Sequence, residues 1–248
     1  MADDPNVHRW CFIWDPSDDP KAGTSRAALV KKNKWDKNST INIAFLDGDP
    51  AVQKRIKDVV TAWTQPDTAQ LRLVFVNDPD KADVRITFKY SGSWSTIGTS
   101  CRTVPKGQAS MNYGWLTLQT SDEELRRVVL HEFGHALGLI HEHQNPDPNS
   151  PIPWNKDNVY KDLSGPPNNW DRDTIDRNMF QAYAVDETNF TQVDTKSIMM
   201  YPIPARWVTD PKYVAGLNDD LSSTDKQFST RPIPNRWPRT IGRSSSGS

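Results

Sequence analysis

Two cysteines among 248 residues, Cys11 and Cys101, are too few for a disulfide framework. They allow one bridge between the N-terminal stretch and the loop around residue 101, or two buried free thiols, and their spacing matches no zinc motif. No apolar run approaches the length needed to span a bilayer. The opening Met-Ala-Asp-Asp-Pro lacks the charged-then-apolar order of a signal peptide, so none is expected in this chain. Charge of one sign is also missing: 30 basic residues against 31 acidic ones leave a net charge of −1. Nucleic acid and anionic membrane surfaces are therefore not expected partners. Hydrophobic content is a modest 35%, whereas ten tryptophans and 19 prolines are many, which suits a rigid, loop-rich protein better than a helical bundle.

Histidine is scarce as well, and four of the five fall within one short segment, His131-Glu132-Phe133-Gly134-His135-Ala136-Leu137-Gly138-Leu139-Ile140-His141 followed by Glu142-His143. On a helix of 3.6 residues per turn, His131 and His135 lie one above the other and can present imidazoles to one point. Glu132 lies about 100° round the helix, on the flank of that face, within reach of a water beside the metal. His141 is ten residues beyond His131 and cannot serve from the same straight helix. Gly138, which tolerates φ > 0, can end the helix and turn the chain so that His141 swings back as third ligand. Three imidazoles with a fourth position left for water are the donor set of catalytic zinc, one ion per chain. His143 is the rival third ligand; the glycine spacing selects His141.

The helix is announced by Ser121 and Glu124, spaced as a capping box, with Asp122 and Glu123 complementing its dipole. Leu125, Val129, Phe133, Ala136 and Leu137 lie opposite the histidines and should pack on a core. Upstream, Ile41–Leu46 reads as a strand closed by Asp47-Gly48. Asp49-Pro50 reads as N-cap and first helical residue, with Val52, Ile56, Val59, Val60 and Trp63 as the buried stripe. Leu71–Val76 is a second strand. Val84, Ile86 and Phe88 alternate with Arg85, Thr87 and Lys89 in a third. Ser91–Thr103 suggests a weaker edge strand, and Ala109–Trp115 a short strand before the active helix. The first two strands should run parallel through a crossover. Residues 1–34 read as polar and irregular. After His141, four prolines between Asn145 and Pro153 open an irregular half, with helical patches near Asn158–Leu163, Asp173–Tyr183 and Ser222–Phe228.

A second motif, Ser197-Ile198-Met199-Met200-Tyr201-Pro202, begins 56 residues beyond His141. With the eleven-residue histidine pattern it resembles the metzincin metalloproteases, and most closely astacin-like peptidases. The resemblance covers about residues 35–230. It implies an α/β (α+β) zincin fold: a twisted five-stranded mixed sheet with a backing helix and the active-site helix, above an irregular C-terminal lobe. The expected division is an N-terminal extension 1–34, a catalytic domain 35–230 (upper lobe about 35–141, lower lobe about 142–230) and a flexible tail 231–248. By resemblance, Met199 is the Met-turn residue beneath the zinc, and Tyr201 is a fifth ligand that swings off to stabilise the transition state. The Glu142 position holds a newly formed N-terminus in that family. With some 34 residues preceding the strand entry here, a solvated or locally paired carboxylate is the alternative. Met200 stands where astacins usually carry His, and the cysteine pattern of animal astacins is missing.

The function expected is zinc-dependent endopeptidase, with Glu132 as general base. The alternatives are a structural zinc module, which would need no Glu132, and a catalytically silent zinc-containing binding protein. A peptide or protein substrate is expected along the strand around Ser93, Trp94 and Ser95, pairing main chain to main chain. Arg206, just past the Met-turn, is a candidate for favouring an acidic side chain, or is an ordinary surface arginine. The protein is expected to be monomeric and, by resemblance, secreted.

Overall fold

The computed structural model describes residues 11–13, 33–66, 68, 70–166, 168–182 and 192–230. Six strands form one sheet: β1 (Cys11–Ile13), β2 (Thr40–Phe45), β3 (Arg72–Phe75), β4 (Val84–Thr87), β5 (Ser93–Ser95) and β6 (Met111–Tyr113), in the order β1-β5-β6-β4-β2-β3. Strands β2 to β6 make the expected five-stranded mixed sheet. β3, β2, β4 and β6 run parallel, and β5 is antiparallel to β6.

The crossover from β2 to β3 is helix α1 (Pro50–Val60), which starts where Asp49-Pro50 puts it: the Asp49 carboxylate accepts from Ala51 N–H at 2.7 Å. Val52, Ile56, Val60 and Trp63 are buried between sheet and helix. Helix α2 (Asp122–Leu137) carries the first two histidines. Two tryptophans hold it by its carbonyls. Trp63 Nε1 donates to Leu130 O at 3.1 Å, and Trp35 Nε1 donates to Ala136 O at 2.8 Å. A buried indole N–H needs an acceptor, so these bonds fix where the helix lies as well as filling the core.

Three expectations are corrected here. First, the N-terminal stretch is not wholly irregular: Cys11–Ile13 pairs parallel with Ser93–Ser95, so β5 is not the sheet edge. The run Trp10-Cys11-Phe12-Ile13-Trp14 has the aromatic and β-branched composition of a strand. Second, the alternation along β4 does not divide it into a buried and an exposed face: Arg85 and Thr87 are 1% and 2% exposed. The turn of residues 98–104 covers that face, and the Arg85 guanidinium donates to the carbonyls of Gln108, Ala82 and Val104 at 2.7, 3.1 and 3.0 Å. Third, the capping box of α2 is only half formed. Ser121 Oγ accepts from Glu124 N–H at 3.2 Å, but the Glu124 carboxylate turns to Trp115 Nε1 and Arg127 instead.

The remainder is sparse in regular structure, as expected. It contains α3 (Lys156–Leu163), α4 (Arg172–Ile175) running into a π-helical turn at Asp176–Phe180, and α5 (Ser223–Thr230). It has its own core of Val159, Leu163, Ile175, Met179, Ile203 and Trp207 among others. The two cores meet within one buried tetrapeptide. Ile198 and Met199 pack with the sheet and α2, whereas Met200 and Tyr201 pack with the lower group. Cys101 is a buried free thiol, so the bridge to Cys11 is not formed. Tyr183 and the tail 231–248 lie outside the described residues.

Candidate metal centre

The site begins where α2 ends. Gly138 has φ +106° and ψ 10°, and its N–H bonds to His135 O at 2.8 Å while Leu139 N–H reaches Gly134 O at 2.9 Å. This left-handed stop caps the orphan carbonyls of the last turn and reverses the chain. It brings the His141 ring centroid to 4.7 Å from His135 and 5.3 Å from His131. One donor atom from each of the three rings lies within 4.8 Å of the others, and all three residues are buried.

Each ring is oriented through Nδ1 by an oxygen: Ile198 O for His131 at 2.8 Å, Leu139 O for His135 at 2.9 Å, Gln144 Oε1 for His141 at 3.3 Å. Those oxygens can only accept, so Nδ1 carries the proton and Nε2 keeps its lone pair. His131 Nε2 is buried with no hydrogen-bond partner among the described residues, and the Nε2 atoms of His135 and His141 face one another at 3.2 Å. Two lone pairs at that distance repel unless a cation lies between them. Tetrahedral zinc with bonds of about 2.0–2.1 Å would set such nitrogens about 3.3–3.4 Å apart. The donor set therefore fits zinc.

Burial also keeps the rings in the neutral, ligating form. It depresses His135 to about 4 and His131 and His141 well below the usual histidine value, with the neighbouring rings adding to the effect for the last two. His143, the rival ligand, is committed elsewhere: its Nε2 is 2.7 Å from Asn178 O. Glu132 is fully buried on the same helix.

A family model described as Astacin, a peptidase family, matches residues 28–207, most of the chain. The chain belongs to the astacin family. Two solved structures of myroilysin are similar to this astacin-family chain. One is 38% identical with a TM-score of 0.76, covering 82% of this chain and 98% of that one. The other is 34% identical with a TM-score of 0.62, covering 90% of each. High choriolytic enzyme 1, a hatching enzyme zinc-protease from the medaka fish Oryzias latipes, shares the fold. It is 19% identical with a TM-score of 0.55, covering 80% of this chain and 93% of that one. Among curated proteins, zinc metalloproteinase nas-30 of Caenorhabditis elegans is 29% identical over 143 residues, covering 58% of this chain and 17% of its own length. Zinc metalloproteinase nas-38 of the same organism is 27% identical over 194 residues, covering 77% of this chain and 23% of its own. The matches thus span under a third of those curated relatives.

Of the remaining expected site residues, Met199 packs against the histidine helix and Tyr201 against the histidine rings of this astacin-type centre. Met199 is 2% exposed beneath α2. A Cβ added to Gly134 would lie 2.3 Å from its sulfur, so the glycine inside the histidine motif makes room for Met199. Tyr201, 3% exposed, has its ring 4.3 Å from His141, 4.5 Å from His143 and 6.2 Å from His131. Glu142 is locally paired: Oε1 accepts from Asn145 Nδ2 and Asp194 N–H, each at 3.0 Å, while burial pushes the carboxyl up to about 7.

Ser93 and Ser95 are fully buried, the Trp94 ring lies 6.1 Å from that of Tyr90, and the outer side of their strand is taken by β1. Arg206 is not aimed at the centre. Its Nε pairs with Asp162 Oδ2 at 2.6 Å, which also takes the Trp207 indole N–H at 2.5 Å. Sequence reasoning missed Gln144, which orients His141 and donates from Nε2 to Arg177 O and Gln181 O at 3.0 and 3.1 Å. No local pattern marks a glutamine for that task, because the carbonyls that hold it lie more than 30 residues away.

Proposed function

We propose that this protein is a zinc-dependent endopeptidase in which Glu132 is the general base. The observation that carries the reading is the convergence of three buried, neutral imidazoles whose free nitrogens face one another, with a buried glutamate on the same helix. Zinc, when bound there, acidifies a coordinated water and polarises the scissile carbonyl. Glu132 takes one proton from the attacking water as its oxygen bonds to the carbonyl carbon. It then delivers that proton to the amide nitrogen as the C–N bond breaks, and the second proton of the water passes from the new carboxyl group to the amine, so that ammonium and carboxylate are released. Tyr201 donates a hydrogen bond to the oxyanion. Met199 and the rings' oxygen partners hold the ligands in place.

The catalytic unit is residues 35–230, with the cleft between a lobe ending near 141 and a lobe starting near 142. The substrate is a peptide or protein segment in extended form. To pair with β5 it must displace β1, which now holds the outer side of that strand. The protein acts as a monomer and, as the family resemblance implies, outside the cell. No helix among the described residues is long and apolar enough to cross a membrane.

Purified protein should contain one zinc per chain and hydrolyse casein or a quenched fluorescent peptide. Glu132→Ala should keep its zinc and fold and lose activity by at least the roughly 10²–10⁴-fold typical of general-base removal. His141→Ala should lose zinc. An active Glu132→Ala protein would remove Glu132 as the general base, whereas a wild type that binds zinc without any hydrolysis would return the silent binding protein to favour.

A further inference from the structure

The oxygen that orients His131 belongs to Ile198, so the stiffness of the Met-turn is passed directly to a metal ligand. Asn218 Nδ2 holds one side of the turn, donating to Ser197 O at 2.8 Å, and a carboxylate from the last helix holds the other. Asp225 is 4% exposed, and its Oδ1 accepts from Ser197 Oγ at 2.6 Å while Oδ2 accepts from Ile198 N–H at 2.8 Å. Ser197 Oγ in turn accepts from Met199 N–H at 3.0 Å. Three successive residues of the turn are thus tied to one side chain.

The same carboxylate closes a reciprocal cap on α5: Asp225 Oδ2 accepts from Ser222 N–H at 2.9 Å, and Ser222 Oγ accepts from Asp225 N–H at 3.0 Å. Helix cap and Met-turn clamp are one group. The spacing Ser222-x-x-Asp225 is a capping-box signature, but nothing in it shows that the acid also reaches residues 197 and 198. A cap alone would be satisfied at the surface by water. Burying the carboxylate raises its pKa, and the donors from Ser197, Ile198 and Ser222 offset that. Such a cost is accepted where the group fixes a geometry.

We infer that Asp225 is a positioning residue for the metal centre, acting through Ile198 on the orientation and basicity of His131. The inference rests on the zinc-peptidase reading above. Removing a group that orients a metal ligand from outside typically weakens metal binding or activity about 10–100-fold. Asp225 acts one link further out, through the peptide of Ile198, so the lower end of that range, about tenfold, applies.

The test compares Asp225→Ala, Asp225→Asn and Ser222→Ala in the zinc-loaded full chain. Three quantities are read: the rate of zinc transfer to an excess of a chromophoric pyridylazo chelator, the thermal midpoint, and kcat and KM on one peptide. Asp225→Ala should release zinc about tenfold faster and lose kcat with KM little changed. Asp225→Asn should restore most of both. Its flipped amide can accept from the two N–H groups through oxygen and donate to Ser197 Oγ through nitrogen. Ser222→Ala removes a helix cap without touching the turn, so it should lower the midpoint and leave zinc release unchanged.

Equal zinc release from Asp225→Ala and Ser222→Ala would reduce Asp225 to a helix cap and overturn the inference. Should Asp225→Ala fail to fold, Ser197→Ala removes one leg of the same clamp. Unaltered zinc release there would overturn the inference equally. A wild-type protein that holds no zinc would overturn the peptidase reading along with it. A zinc-loaded, active wild type with an unmoved Asp225→Ala variant overturns this inference alone.

Discussion

Replacing Tyr201 by phenylalanine separates a packing role from a chemical one, because the ring's surroundings are already fixed. The ring is 3% exposed and lies against His141 and His143 at 4.3 and 4.5 Å, within the lower core that contains Met200 and Ile203. Phenylalanine keeps every one of those ring contacts and the buried apolar area. The stability cost is therefore bounded by a single hydrogen bond, about 1 kcal/mol. In a chain of this size that shifts the melting temperature by only about 2–4 °C. If the hydroxyl donates to the oxyanion, its loss is felt chiefly at the barrier. One such donor is worth about 10²–10³ in kcat, or roughly 2.7–4 kcal/mol, with KM little changed. The barrier effect is roughly three to four times the ground-state effect, so the two roles separate in one variant. The assay is kcat and KM on a single fluorogenic peptide, with zinc content and a thermal melt on the same preparation. A kcat within about threefold of wild type, at full zinc content, would remove Tyr201 from the mechanism.

Gly138→Ala tests the helix stop. A Cβ there meets nothing closer than Asn33 O at 3.9 Å, so the penalty is conformational, about 1–2 kcal/mol for forcing a side chain to φ +106°. A melt of the zinc-loaded variant should fall by roughly 2–8 °C, and an unchanged midpoint would contradict the strained-stop reading. Cys101 should resist aqueous thiol reagents in the folded protein near neutral pH, since burial pushes it up to about 12. Its ordinary value is about 9, so between about 9 and 12 the unfolded chain has lost a proton that the folded chain keeps. Stability therefore falls as pH rises through that window, by at most about 1.4 kcal/mol per unit. Urea titrations of wild type and Cys101→Ala at several alkaline pH values should diverge accordingly; parallel slopes would refute it. Arg206→Ala should leave the preference between acidic and neutral peptide side chains within about twofold of wild type, since its exposed pair with Asp162 is a surface contact. A larger loss for acidic peptides would give Arg206 a part in specificity.

How much could be read beforehand follows from the range of the interactions involved. Asp49-Pro50, the stripe through Val52 and Ile56, and the Ser121 cap are set by residues within a turn of one another, and the elements begin where those rules place them. Gly138 was legible for the same reason: the backbone reversal needs φ > 0 at that one position. Strand β4 shows the limit. Alternation identified the strand, but whether Arg85 meets water depends on where residues 98–104 cross, and their carbonyls reward its burial. β1 was hidden because a three-residue strand has too little pattern to stand out, and its pairing with β5 spans some eighty residues.

At the centre itself the ligands were legible and their supports were not. An HExxH helix announces its metal because both histidines and the glutamate hang from one rigid scaffold at fixed angles. The groups that decide whether those imidazoles are good ligands come from other parts of the chain: Ile198 O on His131, Gln144 on His141, and the Met199 side chain filling the space over Gly134. They share one physical feature. Each is a buried contact made where the chain crosses from one core to the other between Met199 and Met200, or just beyond the Gly138 turn. Glu142 N–H, bonded to Met199 O at 3.0 Å, joins the two places. Tertiary packing, not local propensity, sets the tautomers and the distances. A sequence therefore names the donors of such a site more readily than the residues that hold them still, and Asp225 is the case in point. Its spacing from Ser222 announces a helix cap, and only the fold shows that cap reaching the turn whose Ile198 carbonyl orients His131.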